Sequence, residues 1–201
     1  WKEDEHLLAR NDFIGNLYNA SQTEKSMEML VKTIVANYIL EGIYFYSGFM
    51  FFYNLGRNQL MPGSVQEIRY INRDESTHLW LFRNILIELK KEQPDLFTEQ
   101  YIDEYRSMIK EGCEQEIKWG HYVIGDDVQG LNGEMITDYV QYLGNLRCTN
   151  LGFAPIYEGH ETEPESMRWV SQYSNANAIK TDFFEARSTA YAKSSALVDD
   201  L

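Results

Sequence analysis

The chain has 201 residues, 44% hydrophobic and 24% charged, a balance that fits a globular domain and excludes a disordered chain. A net charge of −13 argues against nucleic acid as a partner and against docking on an anionic membrane. Only 13 Gly and 4 Pro favour long, little-interrupted helices over a many-turned β fold.

Read in chain order, the sequence predicts five or six helices and almost no sheet, an all-α chain. Residues 4–19 carry an apolar stripe of Leu7, Leu8, Phe13, Ile14, Leu17 and Tyr18. Ser21-Gln-Thr-Glu24 reads as a capping box, opening a long helix from about Gln22 to Leu55. Gly56, Pro62 and Gly63 break the pattern, and a second long helix covers about Val65–Lys91. Further helices are expected at about 98–124 and 130–150, followed by a loop over 155–180. The end, 183–201, is weakly amphipathic and closes on Val-Asp-Asp-Leu. The expected division is a helical domain over 1–182 and a flexible tail over 183–201.

Ile34–Tyr53 is long and apolar enough to suggest a membrane span, but it carries Asn37, Glu41 and Ser47. A helix buried inside a bundle fits it better, so no membrane partner is expected. Cys113 and Cys148 show no metal-type spacing and read as free thiols of a reducing, cytoplasmic compartment. The first residue is Trp1 rather than Met, which suggests a processed, split or truncated product.

The chemistry concentrates in N-R-D-E-S-T-H, residues 72–78. Glu75 and His78 are three apart and share one face of a helix, while Asp74 points elsewhere. They either satisfy each other or hold a metal. Glu41 lies alone in the most apolar part of the chain, 34 residues before Glu75, and the midpoint, residue 58, falls inside the Gly56–Gly63 break. Two antiparallel helices joined there place Glu41 and Glu75 at about the same depth, with His78 one turn further along. A buried Glu paired with Arg69 or Arg73 is the bland alternative. Two neighbouring buried carboxylates without a cation are costly, however. Glu from one helix and Glu-x-x-His from another form half of the carboxylate-bridged dimetal site of four-helix bundles.

L-E-G-I-Y-F-Y-S-G-F (40–49) followed by R-D-E-S-T-H (73–78) resembles the small, radical-generating subunit of class I ribonucleotide reductase, a ferritin-like family. Y-V-Q-Y-L-G-N-L-R (139–147), L-G-F-A-P-I-Y (151–157) and F-F-E-A-R-S-T-A-Y (183–191) extend the resemblance over roughly residues 30–201, the last being similar to chlamydial-type tails.

The resemblance implies a ferritin-like four-helix-bundle fold lacking the family's first helices. It implies that Glu41, Glu75 (bridging) and His78 ligate one metal of a dinuclear Fe/Fe or Mn/Fe centre that activates dioxygen and stores a one-electron oxidant. Asp74 would link the site to the radical-transfer route, with Phe45 and Phe49 as the apolar wall. Tyr191 would be the tail tyrosine that relays the radical, with Glu185 as the tail acid. Leu197–Leu201 would dock on the large catalytic subunit, where nucleotides are reduced. Three further ligands are expected from a complementary N-terminal segment, and the bundles are expected to pair as dimers.

Glu3…His6 is the other Glu-x-x-His, but only 35 residues separate His6 from Glu41 and the segment is expected to fray, so it reads as outside the ligand set. Tyr44, Tyr46, Tyr53, Trp119 and Trp169 are expected in the core, and His121 and His160 on surface or loop. A metal-free docking module and another ferritin-like dimetal oxidase remain as alternatives.

Overall fold

The structure is a computed structural model and describes residues 2–174. It is helical throughout: α1 (Glu5–Thr23), α2 (Met27–Ile39), a π-helical turn (Leu40–Tyr44), α3 (Tyr46–Arg57), α4 (Pro62–Glu92), α5 (Glu99–Val123), α6 (Gly133–Asn150) and α7 (Arg168–Ser174). Short 3-10 turns lie at Pro94–Phe97 and Glu165–Met167, and no strand occurs among the described residues.

The helix starts follow from side chains that reach orphan first-turn amides. Asp4 Oδ1 accepts from His6 N and Leu7 N at 3.1 and 2.9 Å, so α1 starts capped where fraying was expected. Ser26 Oγ accepts from Met29 N at 3.1 Å, and Asn132 Oδ1 from Met135 N at 2.8 Å. Pro62 opens α4 as its first residue, where its missing N–H costs nothing. The preceding turn needs left-handed backbone at Gln59 and Met61, with φ of 60° and 46°.

Three sequence expectations change here. The expected capping box over Ser21–Glu24 is absent. Ser21 lies inside α1 and donates to Tyr18 O, while Glu24 Oε1 accepts from Ser26 Oγ at 2.7 Å. Ser26 is the cap because the buried face of the next helix starts at Val31, one turn beyond Met27. The helix expected over 22–55 is divided by the π turn, and the chain leaves it through Phe45 at φ −90°, ψ −10°. The expected loop over 155–180 contains α7, because Met167 and Val170 stand three apart and both bury fully.

The continuous rod of α2, π turn and α3 forms the centre. Val31, Val35, Tyr38, Ile39, Ile43, Met50 and Tyr53 on it are buried against Ile109 and Cys113 of α5, Ile136 and Val140 of α6, and Leu86 of α4. Tyr44, Tyr46 and Tyr53 are core residues. Trp169 packs half-buried on that core, with Arg57 stacked 4.7 Å over its ring. Trp119 differs from expectation: it lines a groove instead of the core. Its ring is held there by the Arg10 guanidinium at 5.2 Å. Cys113 and Cys148 are free and buried. No helix among the described residues is long and apolar enough to cross a membrane.

Candidate metal centre

The antiparallel pairing of the central rod with α4 brings Glu41 opposite Glu75 and His78. Glu41 sits on the π turn, a backbone irregularity that recurs at functional sites. Glu75 and His78 are one turn apart on α4. Each offers one donor atom, and these atoms all lie within 4.8 Å of one another. His78 Nδ1 is 2.7 Å from Glu75 Oε2 and 3.8 Å from Glu41 Oε2. Both carboxylates are half-buried, while the imidazole is half-exposed.

The electrostatics of the cluster disfavour charge on Glu41 and favour it on His78. Burial, then hydrogen bonding and charge repulsion from Glu75, push the Glu41 carboxyl up to about 7, and His78 pulls it back only in part. The hydrogen bond to Glu75 raises the His78 imidazole. The donor set of two carboxylates and an imidazole suits iron or manganese, and a divalent ion would supply the missing positive charge, so the residues fit a metal site.

Beside the cluster lies an apolar groove of about 700 Å³ between α1, the central rod and α4, with Glu75 in its lining. Ile14, Phe45, Phe49 and Ile71 are among its walls. Phe45 and Phe49 are neighbours, with ring centroids 6.1 Å apart. Both rings line the groove that Glu75 also lines.

Asp74 points away from the cluster and is 63% exposed; its Oδ1 pairs with Arg73 at 3.3 Å. Arg73 therefore binds Asp74 and is no partner for the buried carboxylates. Glu185 and Tyr191, with the docking end Leu197–Leu201, lie outside the described residues. Glu3 and His6 are apart from the cluster: His6 stacks on Tyr122 with centroids 4.5 Å apart. His121 is on the surface, its Nε2 2.9 Å from both Gly133 O and Thr137 Oγ1, and His160 is in a loop at 3.4 Å from Asp138.

Sequence reasoning passed over three buried charges behind Glu41. Glu116 on α5 is fully buried, and Arg10 on α1 and Arg147 on α6 nearly so. The signal for Glu116 was available. It continues the stripe of Ile109, Gly112, Cys113 and Gly120, so the helix period alone places a carboxylate on the buried face.

Comparison with known proteins agrees with this geometry. Residues 1–164 match the family described as "Ribonucleotide reductase, small chain". The chain is 74% identical over 201 residues to the ribonucleoside-diphosphate reductase subunit beta of Treponema pallidum, covering all of this chain and 57% of the relative. It is 40% identical over 196 residues to the subunit of the same name from Halalkalibacterium halodurans, covering 98% of this chain and 56% of the relative. The solved ribonucleotide reductase R2 subunit from Clostridium botulinum superimposes with a TM-score of 0.82 at 47% identity, over 87% of this chain and 54% of that one. The similarity thus reaches back through α1, beyond the point near residue 30 where the motifs begin. The chain spans a little over half the length of the curated relatives it matches. With a family match over residues 1–164 and relatives similar along the whole chain, the chain belongs to the ribonucleotide reductase small-chain family.

Proposed function

We propose that this chain acts as part of the small subunit of ribonucleoside-diphosphate reductase, an oxidoreductase that serves deoxyribonucleotide synthesis. The carrying observation is the convergence of Glu41, Glu75 and His78 within 4.8 Å, on a chain of this family. These residues would hold part of a dinuclear Fe/Fe or Mn/Fe centre, with Glu75 as the bridging carboxylate. Such a centre supplies the one-electron oxidising chemistry. The chain's own residues bind and shape the site. Glu41 and Glu75 supply the carboxylates, His78 supplies the imidazole, and Phe45 and Phe49 keep water from the groove side.

The remaining ligands come from a complementary N-terminal small-subunit segment outside these 201 residues, packed along the groove beside Glu75. Asp74 carries the hydrogen-bonded link toward the radical route. Tyr191 and Glu185 relay it through the tail, and Leu197–Leu201 dock on the large catalytic subunit. The bundles pair as dimers in the cytoplasm. The acidic net charge speaks against nucleic acid.

The test is intact mass and metal content of the protein as isolated, followed by reduction of a nucleoside diphosphate with the large subunit added. About two transition metals per bundle, a second polypeptide and activity are expected, since a bundle site of this type binds two ions. A single 23.6 kDa species that takes up no iron or manganese, alone or with the complementary segment, would reduce the function to a metal-free docking module.

A further inference from the structure

The π turn carrying Glu41 joins α3 through a backbone irregularity, and three buried charged side chains from three different helices end on that join. Arg147 of α6 donates from Nε to Gly42 O at 3.0 Å and from Nη2 to the Tyr46 hydroxyl at 3.2 Å. Arg10 of α1 donates from Nη2 to Tyr44 O at 2.5 Å and pairs with Glu116 Oε2 at 2.7 Å. Glu116 of α5 accepts the Ser47 amide on Oε1 at 2.8 Å. Gly42 makes room for this: a Cβ there would stand 2.7 Å from Arg147 Nε and 2.8 Å from Leu79 Cδ2. No carboxylate among the described residues pairs with Arg147, so carbonyl, phenol and aromatic groups meet its charge.

Buried charges are poor sources of stability, because desolvation offsets most of their attraction. Their value here is geometric. A π turn holds one residue more than the α ladder would, and its wider hydrogen-bond ring is less favourable. If the turn relaxed to α, the chain before the join would rotate against α3 by about 100°, one residue's worth of helix. Glu41 would then turn away from Glu75 and His78. Carbonyls at Gly42 and Tyr44 and the amide at Ser47 are tied to three separate helices, so the slip would break four buried polar contacts at once.

We propose that Arg10, Glu116 and Arg147 are positioning residues that clamp the π register of residues 40–47 and thereby set the Glu41 carboxylate against Glu75 and His78. This rests on the reading of those three residues as metal ligands. None of the three clamp residues belongs to the cluster of candidate ligand atoms.

The test uses the 201-residue chain and two readouts. Amide hydrogen exchange over 40–48 is measured without metal. Co2+ is then titrated and its visible ligand-field bands recorded. The variants are the double Arg10→Met/Glu116→Leu, which removes both charges together, Arg147→Met and Arg147→Lys, with Glu41→Ala as the ligand control. The double variant is expected to melt with wild type, since an apolar pair replaces an ion pair at little cost. Its exchange over 40–48 rises about tenfold while the other helices stay protected. Its Co2+ affinity falls about tenfold with shifted bands. Arg147→Lys recovers part of what Arg147→Met loses.

Wild-type protection over 40–48 in the clamp variants overturns the proposal, and so does faster exchange there with unchanged Co2+ affinity and bands. If the double variant fails to fold, Arg147→Lys is judged by the same two readouts. A wild-type chain that binds no Co2+, alone or with the complementary segment, or binds it as Glu41→Ala does, overturns the metal reading instead. Exchange then decides the clamp: acceleration confined to 40–48 supports it, and unchanged protection overturns it.

Discussion

Glu41 and Glu116 share a condition: burial raises both carboxyls from 4.5 to about 7. His78 is also raised, chiefly by its hydrogen bond to Glu75. A group whose folded pKa lies above its unfolded value contributes stability that is full below the unfolded pKa and disappears as pH rises through the folded one. All three groups therefore act in the same direction. The metal-free chain is expected to melt at a higher temperature at pH 5 than at pH 8, in a calorimetric pH series. Glu41→Gln removes one of the titrating groups and should narrow the gap. Metal binding carries the opposite sign, because the ligands must lose their protons first. Affinity for Mn2+ measured by titration is thus expected to strengthen from pH 6 to pH 8. Under the proposed ligand set, His78→Ala should weaken it at every pH, by about tenfold or more. Equal Mn2+ affinity in His78→Ala and wild type would remove the imidazole from the site.

At the scale of elements, two serines compete to start α2, and the structure selects the second. Ser26→Ala removes the bond to Met29 N and should cost about 1 kcal/mol in a denaturant titration. Ser21→Ala deletes only a bond to a carbonyl inside α1 and should cost much less. The reverse order would restore the capping box that the sequence suggested. That misreading shows where the sequence stops being informative. Ser21 and Glu24 have the right spacing, and nothing local says that α1 runs on through Thr23. The antiparallel register of the central rod with α4 was legible, because Glu41, the break and Glu75 are symmetrically spaced along the chain. The π turn between them was not, since a single added residue barely disturbs a 3.6-residue period. Its trace in the sequence is Gly42, whose missing side chain is needed for Arg147, a partner 105 residues away. Gly42→Ala must push back Arg147 or Leu79, and overpacking of this kind costs about 1–3 kcal/mol. Thermal melts of Gly42→Ala alone and with Arg147→Ala measure this. The second substitution removes one of the two obstructing side chains, so the combined loss should be smaller than the sum of the singles.

For the whole molecule, the decisive feature is a compact core beside an open apolar groove. The core side of the central rod is fully buried, yet Phe45 of the rod and Ile71 of α4, both in the groove wall, are more than a third exposed. A contiguous apolar surface of this kind marks a binding face. Because the walls come from α1, the central rod and α4, the groove exists in the folded chain and is lost on unfolding. The dye 1-anilinonaphthalene-8-sulfonate should therefore bind the native chain with bright, blue-shifted emission, and lose that emission across the cooperative melt. Trp119 lines the same groove, so bound dye should quench its fluorescence by energy transfer, and Trp119→Phe should remove that share. Phe45→Lys places a charge at the groove wall, on a side chain already 37% exposed. It should weaken dye binding several-fold and leave the melting temperature nearly unchanged, because little packing is lost. Dye emission that is the same in Phe45→Lys and wild type would mean that the dye sits elsewhere, and the groove would lose its standing as a binding face.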